Sequence, residues 1–351
     1  MKKEKQHRIA DVARRAGVSE ATVSVVVNNR VGKSIRVSDE TQQRVWDAVR
    51  DLGYVPNPSA RNLARGRNNL IAVFSFESIF PLDSRNFYYP FLIGIEEEAA
   101  TQGYDLLLIT AASDPTMRGH IYHNGSNRLQ LADGAVLLGH AADQSEVTRL
   151  LSSAFPFVYV GRRESPNDDI SYAAGDYVSA TRQLIEYLFA HQHQRLAYLA
   201  PPVQTEASRD RYRGFVEAHA QRGIAIDPNL SWYGGVDTFT TETFTHLVGL
   251  GATAFVAEND QIALRVLDEA KTAALRCPED FSLVVLGDPL TIVENDTHWT
   301  TYKIPRREMG REAVRLLVTI LSGTSELPRP YRTVLPCQFI PGSTVSVAKK
   351  E

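Results

Sequence analysis

The sequence predicts an all-α head followed by an α/β core of two doubly wound parallel-sheet subdomains. Three observations carry that expectation. Residues 9–52 place apolar side chains at helical spacing with no strand-like alternation. After residue 69, seven short apolar runs alternate with amphipathic helical stretches. Charge divides at the same boundary, with a net +7 over residues 1–67 and −10 over the remainder.

Composition bounds the class. Hydrophobic residues make up 43% of the 351 and charged residues 23%, as in an ordinary globular protein. The basic start MKKEKQHR leads into no apolar stretch, so no secretion signal is expected and the cytoplasm is the expected location. No run approaches the roughly 18 apolar residues of a membrane span. Cys277 and Cys337 form neither a disulfide framework nor a metal-ligand spacing and are expected to be buried thiols. A small basic head on an acidic body points to a polyanionic partner for the head.

The head is justified helix by helix. Ile9, Val12, Ala13 and Ala16 share one face, and Gly17 can supply the left-handed turn that ends this helix. The next stretch, SEATVSVVVNN, is rich in β-branched residues that favour strands. Three consecutive valines nevertheless break any strand alternation, while Val23, Val26 and Val27 share a helical face. Ser19 suits the N-cap and Glu20 the first turn. A helix held against its own propensity must be held by packing. Ala13, Gly17 and Val23 then have helix-turn-helix spacing, in which the second helix enters the DNA major groove. A third helix is expected over about residues 39–52, capped by Ser38, with Val45, Ala48, Val49 and Leu52 inward.

IADVARRAGVSEATVSVVVN, VSDETQQRVWDAVRDLGYVPNPSARNLARG and LIAVFSF resemble the N-terminal region of the lactose/galactose-repressor family, and the resemblance runs almost to the C-terminus. It implies DNA contacts in the major groove and to phosphates from Ile9, Ser19, Glu20, Ala21, Thr22, Ser24, Val25, Asn28, Arg36 and Thr41. PNPSARNLARGRNN resembles the family's hinge helix. About eight residues cannot hold a helix alone in water, so DNA must supply the stabilisation. The resemblance implies that Leu63 wedges into the minor groove, with Asn57, Ala60 and Arg61 alongside. Val25 departs from the hydrogen-bonding residue usual after the TVS triplet. It can pack on a thymine methyl but cannot pair with guanine.

In the core, LIAVFSF, DLLLIT, GAVLLG, FVYVG, RLAYLA, TAFVAE and FSLVVLG read as buried strands. FLIGIEEEAATQG, ATRQLIEYLFAH, RDRYRGFVEAHAQRG and DQIALRVLDEAKTAA read as helices. The resemblance implies a periplasmic-binding-protein-like core with three crossovers. The expected domains are a DNA-binding domain (1–56), a hinge and linker (57–68) and the core (69–351). Subdomain one is expected over about 69–173 and 291–321, and subdomain two over about 174–290 and 322–351. The first crossover is expected near Ala174 and the second near Leu290, with WTTYKIPRREMGREAVRLL returning to subdomain one.

Ligands in such folds sit beyond the C-terminal ends of strands. By motif match, Arg211 (three before Gly214) and Asn259 in AENDQIAL are the expected effector contacts, with Asp260 capping the following helix. Asp288 in VVLGDP stands within one position of a ligand-contacting aspartate. Asp176 follows the first crossover, Phe239 is placed to stack on a sugar ring, and Phe87, Tyr88 and Tyr89 to form an aromatic wall. Carboxylates, an amide, an arginine fork and aromatic faces suit a carbohydrate, the family's commonest effector.

Other constellations point elsewhere. His191 and His193 are read as capping and packing residues, not metal ligands, and Asp168 and Asp169 as a solvated loop. No G-x-S-x-G, P-loop or G-x-G-x-x-G occurs, and neither catalysis, metal nor cofactor is expected. The leading reading is a homodimeric, effector-controlled repressor on pseudo-palindromic operator DNA, with no leucine heptads in the tail for tetramers. The alternative is a stand-alone sugar-binding protein or sugar-processing enzyme on the same core.

Overall fold

In the computed structural model, the described residues of the N-terminal unit form three helices: Ile9–Ala16, Glu20–Val27 and Asp39–Asp51. The structure describes residues 7–28, 36–55, 68–77, 85–110, 119–139, 144–289, 298–323 and 328–349. Gly17 ends the first helix at φ 67°, a conformation that glycine adopts without steric cost. Ser19 and Ser38 cap the second and third by accepting from the backbone N–H of Thr22 and Thr41, at 3.1 and 3.3 Å. Val12, Ala13, Ala16, Val23, Val26, Val45 and Ala48 form a dry core. The β-branched second helix is therefore held by its neighbours, since Val23 and Val26 reach partners that a lone helix lacks.

The chain divides into two compact units, Met1–Asn69 and Leu70–Glu351. The larger unit contains two six-stranded sheets. The first is ordered β13-β7-β6-β5-β1-β2, with β1 Leu70–Ser75, β2 Asp105–Ile109, β5 Gly134–Leu138, β6 Phe157–Val160, β7 Tyr172–Gly175 and β13 Arg332–Leu335. All its pairings are parallel. The second is ordered β14-β12-β11-β10-β8-β9, with β8 Leu196–Ala200, β9 Ser231–Tyr233, β10 Ala254–Ala257, β11 Ser282–Val285, β12 Thr300–Lys303 and β14 Gln338–Ile340. Only β14 runs antiparallel, along β12. A short hairpin, β3 Tyr122–His123 and β4 Ser126–Asn127, lies apart from both sheets.

Three crossovers link the subdomains, and the second and third fall elsewhere than the sequence expectation puts them. Ala174 still pairs with Val334 in the first sheet, so the first crossover follows Gly175. The strand Thr300–Lys303 belongs to the second sheet, not the first. The return therefore falls at Ile304–Pro305, and the helix Arg306–Ser322 packs beneath the first sheet. The C-terminal stretch does not lie wholly in subdomain two either. Arg332–Leu335 extends the first sheet and Gln338–Ile340 the second. Strand partnership is non-local, so an apolar run does not reveal which sheet will accept it.

Gly214 positions the helix Glu206–Arg222. A Cβ there would lie 2.3 Å from the Val178 carbonyl, so only glycine lets the helix Glu206–Arg222 come this close to Tyr177–Ala190. Arg211 lies three residues earlier on the same helix.

Two histidines are buried in the core. His193 Nε2 lies 2.9 Å from the Ser346 carbonyl, which can only accept, so that nitrogen carries the proton. Nδ1 then accepts from the Thr253 hydroxyl at 3.0 Å. His219 Nδ1 lies 2.8 Å from the Phe215 carbonyl. Burial holds both imidazoles below their ordinary pKa of 6.5. The unfolded chain therefore binds more protons below that pH. The stabilisation is present at neutral pH and is lost progressively as pH falls from about 6.5 down through the lower folded values. A thermal melt should drop between pH 7.5 and 5.5, and the His193→Gln/His219→Gln variant should show a flatter dependence. An unchanged slope contradicts the assignment. His191 ends its helix, with Nδ1 2.8 Å from the Tyr187 carbonyl.

Candidate functional site: an interlobe cavity and a DNA-facing head

On the head, Ala21, Thr22, Val25, Arg36 and Thr41 line one surface groove with Val37 and Ser38. Ser19 and Glu20 are exposed at the start of the second helix. Ser24 and Asn28 are tied together, since Asn28 Nδ2 donates to the Ser24 carbonyl at 2.8 Å and hydroxyl at 3.2 Å. Ile9 is half-buried and packs on the head's core. Asn57, Ala60, Arg61 and Leu63 lie outside the described residues.

The core holds a cavity of about 310 Å³ between its two sheets. Its walls are the residues just past the strand ends: Glu77 after β1, Gly139 after β5, Gly161 after β6, Glu258 after β10 and Leu286 after β11. Parallel strands end together on one side of their sheet, so loops from both subdomains converge here. Five residues expected from the sequence line it: Phe87, Tyr88, Arg211, Asn259 and Asp288.

Each is held by neighbours. Phe87 meets Tyr88 edge-on, with centroids 4.9 Å apart, and the Arg306 guanidinium lies 5.4 Å from the Phe87 ring centre. Tyr88 donates to Glu77, and burial together with that carboxylate pushes its hydroxyl well above the ordinary phenol range. Arg211 donates to the Tyr302 hydroxyl at 3.2 Å, lies over Tyr177 at 4.7 Å and faces Glu258 Oε1 at 3.5 Å. Burial pushes the Tyr177 hydroxyl up to about 12. Asp288 accepts from the Ile304 N–H at 2.9 Å and pairs with Arg306.

At one side of the cavity, ion pairs join the subdomains. Arg162, just past the end of β6, donates through Nε to Asp210 at 2.7 Å, on the helix Glu206–Arg222 of the second subdomain. Arg209 reaches back to Glu164 at 2.8 Å, and Arg163 lies 3.9 Å from Glu206. Arg163 also donates to the Gly139 carbonyl.

Several expected contacts are corrected. Asp176 does not line the cavity, because its carboxylate caps the helix Tyr177–Ala190 through the Ser179 N–H at 2.9 Å. Its neighbour Tyr177 lines the cavity instead. Phe239 is fully buried against Trp232, 5.1 Å away, in the second subdomain's core. The 3-10 turn Val236–Thr238 precedes it. Tyr89 is 60% exposed, since three consecutive helical residues cannot share a face. Asn259, not Asp260, caps the helix Asp260–Thr272, accepting from the Ile262 N–H at 2.9 Å. Cys277 and Cys337 are free and half-buried rather than buried, and desolvation pushes each thiol up to about 12. Asp168 and Asp169 are not merely solvated, for they bond to Arg332 and Ser165. Sequence reasoning missed Arg162, Arg163, Glu258 and Arg306. A signal existed in GRRE and AEND, where charges follow buried strands directly.

The N-terminal residues 8–57 match the model for bacterial regulatory proteins of the lacI family, and 185–345 match the periplasmic binding protein-like domain. The regulator CelR of Thermobifida fusca is 30% identical over 347 residues, covering 95% of this chain and 97% of that protein. The chain belongs to the lacI family. The repressor CytR of Escherichia coli (strain K12) is 31% identical over 332 residues, covering 92% of this chain and 93% of that protein. A solved CelR–cellobiose complex is 28% identical, with a TM-score of 0.63, over 96% of this chain and 99% of that one. As a lacI-family member, the protein is a DNA-binding transcriptional regulator and not an enzyme, which retires the stand-alone and enzymatic readings. No helix among the described residues is long and apolar enough to cross a membrane.

Proposed function

We propose that this lacI-family regulator is a cytoplasmic, homodimeric repressor whose grip on a pseudo-palindromic operator is set by a neutral saccharide held between the core subdomains. The cavity carries this reading. Its volume is at the lower end for small-molecule sites. Its charges balance, with Arg162, Arg163, Arg211 and Arg306 against Glu77, Glu258, Asp260 and Asp288. An uncharged ligand with many hydroxyls and an apolar ring face matches such a lining. The relative solved with cellobiose supports the same class.

Phe87 and Tyr88 would cover the ring face, Arg211 and Asn259 the hydroxyls, and Asp288 would act through Arg306. A ligand gripping both subdomains favours one of their arrangements over the other, and that differential affinity is what can be passed to DNA. On the head, Val25 would read a thymine methyl, Glu20 would accept from cytosine N4 and discriminate more than it attracts, and Arg36 would anchor the backbone. The hinge residues Asn57, Ala60, Arg61 and Leu63 are proposed for the minor groove on the resemblance alone.

A thermal-shift screen of neutral sugars and sugar phosphates tests this. At a hundredfold excess over Kd, a ligand adds about 2.7 kcal/mol to the stability of its site. One neutral mono- or disaccharide should raise the core's melting temperature by several degrees. A screen in which only phosphorylated sugars shift the melt overturns the neutral class.

A further inference from the structure

Glu258 has an unmet hydrogen-bonding need inside this cavity. It directly follows β10 and is 4% exposed. Its Oε1 is engaged, accepting from the Ser208 hydroxyl and facing Arg211 Nη1 at 3.5 Å. Its Oε2 is buried without a hydrogen-bond partner among the described residues. Native proteins rarely leave such an atom unpaired, because a desolvated carboxylate oxygen loses its water and gains nothing. Arg306 mirrors it. This side chain is 6% exposed, its Nη1 pairs with Asp288, and its Nε is buried with no partner among the described residues. Both residues line the same cavity. They belong to different subdomains, since Glu258 follows a strand of the second sheet and Arg306 opens the helix beneath the first.

We infer that the bound saccharide gives a free hydroxyl to Glu258 Oε2 and accepts from Arg306 Nε through a second oxygen, bridging the two subdomains. The inference rests on the saccharide reading and narrows it. The position facing Glu258 must be an unsubstituted hydroxyl. A phosphate there sets an anion against a carboxylate, and an O-alkyl group has no proton to donate. A site built around a buried acceptor rejects analogues that lack the matching donor, because the acceptor stays unpaired.

Titration calorimetry with cellobiose, maltose and glucose, and with the monodeoxy analogues of the tightest of them, tests this on wild type, Glu258→Ala and Glu258→Gln. In the wild type, one deoxy analogue should bind about 10- to 100-fold more weakly than its parent, the range for a hydrogen bond to a charged group. In Glu258→Ala, the parent should fall by a similar factor and that analogue should bind as the parent does. Glu258→Gln, which keeps the side chain's size, should fall between. If the analogues keep their wild-type ratios in both variants, or if a phosphorylated parent binds more tightly than the neutral sugar, the role of Glu258 is overturned while the cavity remains the site. If no neutral saccharide binds the wild type, the saccharide reading falls and takes this inference with it.

Discussion

Arg211→Ala is expected to abolish the saccharide response while leaving operator binding in place. The guanidinium is the one group that joins Tyr302, Tyr177 and Glu258 on the second subdomain's side of the cavity. Its loss removes the paired donor for ligand hydroxyls. It also leaves the Glu258 carboxylate, 4% exposed, without its charge partner. Breaking a buried pair by deleting one member typically costs about 3–5 kcal/mol. The core should therefore melt at lower temperature as well. Adding Glu258→Gln removes the stranded charge and should recover most of that stability, but not the response. The head is a separate compact unit, so DNA affinity measured without saccharide should stay near wild type. A single variant that still responds to saccharide contradicts the placement of Arg211 in the site.

Val23→Asp is expected to eliminate DNA binding, specific and non-specific alike. Val23 is fully buried where the three head helices meet. The side chains around it are apolar, and burying an unpaired charge costs several kcal/mol. A head with seven buried side chains among its described residues has little stability to spare. It should unfold, and affinity for operator and random DNA should drop more than a hundredfold. Calorimetry should show the core transition and saccharide binding unchanged. Loss of saccharide binding in this variant contradicts the independence of the two units.

What was legible in the sequence follows the range of the interactions. The caps Ser19 and Ser38 and the stop at Gly17 are local, set by side chains within three residues, and they stand where the spacing put them. Arg211 was legible through its distance from Gly214, a glycine that the helix packing requires. The sheet membership of Thr300–Lys303 was not legible, because its pairing with the preceding strand at Val284 leaves no mark on the TTYK run itself. Phe239 was misread because an aromatic near a strand end looks the same whether it turns toward ligand or core. Short edge strands such as Ser231–Tyr233 carry no apolar run, since their side chains are only partly buried at the sheet's end. Glu258 and Arg306 were missed for another reason. A charge beside a buried strand reads as a solvated loop until the fold closes over it.

The most direct test is fluorescence anisotropy of labelled operator DNA from the protein's own upstream region, titrated at one salt concentration with and without saturating saccharide. The saccharide should change operator Kd by about 5- to 150-fold, the span of a 1–3 kcal/mol coupling, and leave random-sequence DNA unaffected. By reciprocity, saturating operator should change saccharide affinity by the same factor. A saccharide that binds the cavity while operator Kd stays the same contradicts the account.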